Sequence, residues 1–185
     1  MMRKNFGAKP FLYPQPVLII GTYNEDGTAN AMNAAWGGLC GANKIIIDLS
    51  SHRTTDNILK NKEFTVSIAD AAHVVEADYV GIVSANKVPD KLEKAGLHTV
   101  KSEFVNAPII EEFPMTFECK LLRQTEDGIV GEIINVNIDE RVLNEKGTVD
   151  TDKLGAITFD AMNAAYVKLG EKVGNAFSDG KKLAQ

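Results

Sequence analysis

ANAMNAAWGGLCGANKIIIDLSSHRTTDN, residues 29–57, falls into three parts with different chemistry. A run of small and amide side chains, Asn30, Ala31, Met32, Asn33, Ala34 and Ala35, leads to Trp36, the single tryptophan of the chain. Lys44 to Leu49 (KIIIDL) is a short, β-branched run that reads as a buried strand. Ser50, Ser51, His52, Arg53, Thr54 and Thr55 then open a helix, with Thr54 as N-cap, Asp56 in the first turn and an end near Asn61. Small residues let a flat ring approach the backbone, and amides both donate and accept at its polar edge. Met32 and Trp36 add soft packing surfaces. At a helix N-terminus, free amides, hydroxyls and a guanidinium suit a phosphate. Together the two groups point to a phosphorylated aromatic ligand. Each also has a plainer reading, a capping loop with Arg53 on the surface and a strand-to-loop junction around a core tryptophan.

Outward from this stretch the chain alternates short strands with turns. PVLIIGTY, from Pro16, reads as a buried strand; Asn24 to Gly27 (NEDG) is a turn, and Thr28 to Trp36 resumes as its hairpin partner. Gly37, Gly38 and Gly41 loosen the chain before the next strand. EFTVSIA, residues 63–69, is a further strand. Asp70 begins a helical pattern that Gly81 ends, and PDKLEKA, residues 89–95, forms a second short helix closed by Gly96. Phe117, Cys119 and Leu121 alternate with charged residues, as do Ile134, Val136 and Ile138 with polar ones across the acidic turn at 126–128, giving a second hairpin. Residues 1–14 read as an arm. The tail from about 154 carries Tyr166, Leu169, Val173 and Phe177 at helix-compatible spacing, interrupted by Gly170, Gly174 and Gly180.

At least six short strands and a few short helices predict one mainly β domain over 1–185, a β-barrel with helical insertions. The tight hairpins and the lack of GxGxxG speak against a doubly wound parallel sheet. With 185 residues, 44% of them hydrophobic, the chain can bury a substantial core. A net charge of -5 argues against nucleic acid as a partner. No apolar run reaches the ~18 residues a membrane span needs. The first residues lack the apolar core of a secretion signal, so a cytoplasmic location is expected. Cys40 and Cys119 read as free thiols, and neither His52, His73 nor His98 has a second ligand at metal spacing, so no metal is expected. GxSxG and Walker-type loops are absent, and Glu111 and Glu112 read as solvated.

Four segments in this order, GTYNEDGTANAMNAAW, SSHRTTDNI, ADYVGIVSANKVPDK and YVKLGEKVGNAFSDGK, resemble the flavin reductase-like family of FMN-binding split barrels, nearest its flavoredoxin-type branch. The resemblance covers roughly residues 16–177. It implies a six-stranded Greek-key-like barrel that binds FMN non-covalently and forms a homodimer, with the tail wrapping the barrel or the partner subunit. By the same resemblance Asn30 to Trp36 line the isoalloxazine ring and Ser50 to Thr55 hold the phosphate. Asp78, Tyr79, Gly81, Ser84 and Lys91 lie near the cofactor or the dimer seam. It implies an oxidoreductase that moves electrons from NADH or NADPH through FMN to a small-molecule or redox-protein acceptor. The alternatives are a flavoredoxin-type electron carrier without a substrate of its own and a flavin-free binding module.

Overall fold

The computed structural model describes residues 1–184. Five strands and a helix make up the first third: β1 (Leu18–Tyr23), β2 (Ala29–Ala34), β3 (Gly37–Gly41), β4 (Lys44–Ile47), α1 (Arg53–Asn61) and β5 (Glu63–Ile68). Helices α2 (Val74–Ile82) and α3 (Lys91–Lys94) follow, then β6 (Thr99–Lys101), β7 (Pro108–Ile110) and the long hairpin β8 (Met115–Thr125) and β9 (Gly128–Ile138). Next come α4 (Thr151–Leu154), β10 (Ile157–Asp160) and β11 (Ala165–Lys168), and a 3-10 turn at Asp179–Leu183 is the last element. The main sheet is antiparallel and curls into a half-barrel of seven strands in the order β2-β1-β5-β8-β9-β4-β3. It is the mainly β split barrel expected, with β3 bringing the sheet to one strand more than six.

Strand β1 shows why PVLII is apolar without alternation. Val17 and Ile19 face a core under α2 and α3, shared with Ala31, Ala77, Val80, Leu92 and Phe113. Leu18 and Ile20 face the inside of the curl, with Ile45, Ile47, Ile58, Phe64, Val66 and Cys119. A strand buried on both faces carries apolar residues throughout. The curl comes partly from register shifts in the β8–β9 ladder at Glu118/Cys119 and Leu121/Arg123, because a bulge bends its strand. It also needs Gly131, where a Cβ would come within 2.5 Å of the Phe64 ring.

Several boundaries differ from the sequence expectation. Gly37 to Gly41 is not loose chain: it pairs with β4, which supplies the hydrogen bonds that three glycines would not specify alone. Helix α1 starts at Arg53 with His52 at the N-cap position, and Thr54 lies inside its first turn. Helix α2 starts at Val74, because Asp70 Oδ1 accepts the His73 N–H (2.9 Å) and holds the preceding turn; it runs past Gly81 to Ile82. The tail is not helical at Tyr166. Residues 157–168 form a β10–β11 hairpin, which pairs Phe159 with Tyr166 and is turned by Asp160 accepting the N–H groups of Met162 and Asn163.

Candidate functional site

Strand β2 is an edge of the sheet, so main-chain N–H and C=O groups on its outer side are free of ladder partners. Three cavities adjoin it, and Asn33 lines all three. The first, about 370 Å³, lies between β2, the start of α1 and the end of α2. Asn30, Met32, Asn33, Ser51, His52, Arg53, Thr54, Gly81, Ser84 and Lys91 from the sequence-based set all line it. Its lining includes His52, Arg53 and Lys91 and no carboxylate, in a chain whose net charge is -5. Asp56, in the first turn of α1, is exposed and does not line it.

The start of α1 is open to a ligand. His52 makes no side-chain cap, so the first-turn amides of Arg53, Thr54 and Thr55 have no capping side chain. The Arg53 Nε donates to Asn86 Oδ1 at 2.7 Å, which fixes the guanidinium while leaving its terminal nitrogens without a carboxylate among the described residues. Ser50 and His52 are tied by a 2.8 Å Oγ–Nε2 hydrogen bond. Thr55 Oγ1 donates to the Ser50 carbonyl at 2.7 Å, so its hydroxyl holds the loop rather than lining the cavity.

Two buried polar groups face the same space. Asn30, 2% exposed, donates from Nδ2 to Thr54 Oγ1 at 2.8 Å, while its Oδ1 is buried and accepts nothing. An orphaned buried acceptor costs about 1–3 kcal/mol unless a ligand or water satisfies it. Lys91 is buried, and its Nζ donates to the carbonyls of Val80 (3.1 Å) and Val83 (3.0 Å) at the end of α2. Burial without a carboxylate partner pushes this ammonium down to about 8.

The second cavity, about 240 Å³, is walled by Met32, Ala34, Ala35, Trp36, Ser50 and His52, with Asp48 at its rim. The third, about 390 Å³, is aromatic: Trp36, Phe159 and Tyr166 line it with Ala35, Gly81 and Ile82, and Asn33 and Asp78 are its other polar residues. Trp36 lies 6.2 Å from Phe159 and Phe159 lies 5.9 Å from Tyr166, centroid to centroid. The Tyr166 hydroxyl donates to Asp78 Oδ1 at 2.8 Å; burial and that bond push the phenol up to about 12. Gly81 lets α2 approach β2, since a Cβ there would sit 2.9 Å from Asn33 Cβ.

Thus most of the expected residues converge on one region. Ala31 does not, being fully buried in the core beneath α2, and Tyr79 packs on that core outside all three cavities. Sequence reading did not single out Asn86, Ile82, Asp48 or Phe159, and noted Tyr166 only for its helix-compatible spacing in a mixed tail. The alternation of ITFD and AYVK around DAMNA carried the signal for the last two.

With this geometry in hand, comparison with known proteins is decisive. Residues 11–157 match the family described as flavin reductase like domain. The chain belongs to that family. Among solved structures, this flavin reductase-like domain is similar to flavoredoxin of Desulfovibrio vulgaris (Miyazaki F), with a TM-score of 0.93 and 38% identity over 97% of this chain and 100% of the other. Flavoredoxin from Methanosarcina acetivorans gives a TM-score of 0.87 and 28% identity over 99% and 100%. Among curated proteins, the flavin reductase-like domain is 30% identical to Bacillus subtilis (strain 168) YwrF over 179 residues, covering 86% of this chain and 85% of YwrF.

Proposed function

We propose that this flavin reductase-like domain binds FMN non-covalently and is an oxidoreductase, taking electrons from NADH or NADPH and passing them to a small-molecule or protein acceptor. The observation that carries the reading is the carboxylate-free cleft at the uncapped start of α1, which joins Arg53, Lys91 and the orphaned Asn30 Oδ1. These residues fit FMN. The Arg53 guanidinium, the Ser51 and Thr54 hydroxyls and the first-turn amides of α1 would hold the phosphate, with Lys91 adding a second positive charge. Asn30 Oδ1 offers an acceptor to a ligand hydroxyl or N–H. The free edge of β2, with Ala34, Ala35 and Trp36, offers room and polar groups to the ring. Bound FMN would supply the electron- and hydride-accepting chemistry, and the chain's own task is to place and surround it.

A second reading, an FMN electron carrier without its own small-molecule substrate, is favoured by the similarity to flavoredoxins. Absorption spectra of the purified protein before and after anaerobic NADH or NADPH separate the two. Bleaching of the flavin band within seconds supports the enzyme. Reduction only through a partner protein supports the carrier, and a colourless protein that takes up no added FMN removes both. We also assign a homodimer, in which the exposed Val173, Phe177 and Leu183 of the tail meet the partner subunit; sedimentation of the purified chain tests it. Among the described residues no helix is long and apolar enough to cross a membrane, and the cytoplasmic location remains part of the proposal.

A further inference from the structure

A fourth cavity, about 550 Å³, lies between the N-terminal arm and the outer face of β3 and β4. Ile45 and Ile47 point into the core, so Ile46 and its ladder partner Gly38 look out from the opposite face. Phe11 and Leu12 of the arm, with Leu39 and Trp36, complete the apolar lining, and the volume lies in the range of small-ligand sites. Of the residues assigned to FMN, Trp36 alone touches this cavity. The arm is fastened beside it, since Tyr13 donates to Asp160 and Gln15 N donates to Thr158 Oγ1 at 2.8 Å.

The polar groups of this cavity are mainly acceptors. Gln15 is 6% exposed; its Nε2 donates to the Ala35 carbonyl, while its Oε1 accepts from nothing among the described residues. That oxygen is not sealed off as Asn30 Oδ1 is, so it opens into the cavity. Asp48 and Asp127 add two carboxylates, neither of them in an ion pair among the described residues. Gly128 brings the two close. Its φ of 133° suits glycine, and a Cβ there would lie 3.0 Å from Asp48 Cα, so only glycine lets the β8–β9 turn close on the end of β4. Lys9, the one cation of the lining, pairs with neither carboxylate. Two like charges beside an unpartnered acceptor call for a cation, and the apolar lining calls for a hydrophobic body. We propose that this cavity is a ligand site for a primary ammonium carried on an aromatic group, an arylalkylamine. The ring packs among Phe11, Leu39, Ile46 and Trp36, and the ammonium donates to Gln15 Oε1 in the field of Asp48 and Asp127.

The site rests on its own lining and not on FMN being the ligand of the cleft. Gly38, Leu39 and Asp127 line this cavity alone among the four, so their amides report on it without interference, by NMR of the isotope-labelled protein. The probes are phenethylamine, protonated at neutral pH, and phenethyl alcohol, which keeps the ring and loses the charge. Flavin content is measured in the same samples. The expected result is saturable shifts at these three amides, with the amine bound about fivefold tighter than the alcohol. Asp127→Asn, on an exposed turn, should cut that preference at least in half, and high salt should lower it in the unmodified protein. Leu39→Ala, at an exposed edge position, should weaken both probes and keep the preference. Equal affinity for amine and alcohol in the unmodified protein, shifts that do not saturate, or saturable shifts centred on Asn33 and Asp78 instead, overturn the proposal. A colourless sample that takes up no FMN but keeps the amine shifts removes the FMN reading and leaves this one standing.

Discussion

Asn30 on β2 donates its side-chain amide to Thr54 Oγ1 in the first turn of α1, at 2.8 Å, and so ties the ring end of the proposed site to its phosphate end. Thr22 and Asn57 extend the tie, since Asn57 Nδ2 donates to Thr22 Oγ1 at 3.0 Å. Thr54→Val keeps the shape and removes the acceptor, leaving Asn30 with a long 3.4 Å contact to Thr22. The expected cost is about 1–2 kcal/mol of stability, read as a lower midpoint in urea unfolding with an unchanged slope.

Arg53→Ala should weaken FMN binding at least tenfold, about 1.4 kcal/mol, because a fixed guanidinium facing a phosphate makes charge-assisted bonds. Arg53→Lys should restore only part of it, since a lysine cannot keep both the Asn86 bond and a bidentate contact. Equilibrium titration of the flavin-free protein measures both, and unchanged affinity in Arg53→Ala removes this residue from the site.

Lys91 makes the site sensitive to alkali. Its folded value of about 8 lies below the ordinary 10.5, because burial disfavours the charged form. The sign follows directly: between these values the unfolded chain holds the proton that the folded chain has released, so Lys91's contribution to stability rises with pH from about 8 toward 10.5. Binding of an anion runs the other way, because the charge that attracts it is lost over the same range. FMN affinity should fall about fivefold from pH 7 to 9 in the natural protein and stay flat in Lys91→Met. Parallel pH titrations of the two proteins test this.

Gly81→Ala sets two effects against each other. A helix gains about 1 kcal/mol from alanine over glycine. The new Cβ, however, would lie 2.9 Å from Asn33 Cβ, close to the backbone of β2, where no flexible side-chain end can move aside. Overpacking costs about 1–3 kcal/mol, so the net expectation is a loss of roughly 1 kcal/mol together with reduced FMN uptake. Thermal unfolding and flavin titration of the variant show which effect wins.

Much of this fold is legible in its sequence where local pattern and tertiary role agree. PVLII is apolar on both faces because β1 serves two cores, and SSHRTT combines loop, first turn and cationic group in one run. The illegible parts are those whose partners lie far away. GGLCG has no strand propensity of its own and is a strand because β4 is beside it. Asn86 matters because it meets Arg53 from 33 positions away, and Phe159 because its hairpin folds back onto Trp36. The orphaned oxygen of Asn30 has no sequence signature at all. It exists only once β1, β2 and α1 have closed around it.

The family match stops at Ile157, yet Phe159 and Tyr166, two of the three rings around the aromatic cavity, come after that point. The barrel and the cationic cleft lie within the matched residues, while most of the aromatic wall hangs on a separate hairpin fastened by Gln15 and Tyr13. Mutations in that hairpin can reshape the aromatic wall without disturbing the ladders of the seven-stranded sheet, because β10 and β11 pair only with each other. The solved flavoredoxins nevertheless align over 97% and 99% of this chain, so the hairpin is a part of the fold that reaches past the family match rather than an addition peculiar to this protein.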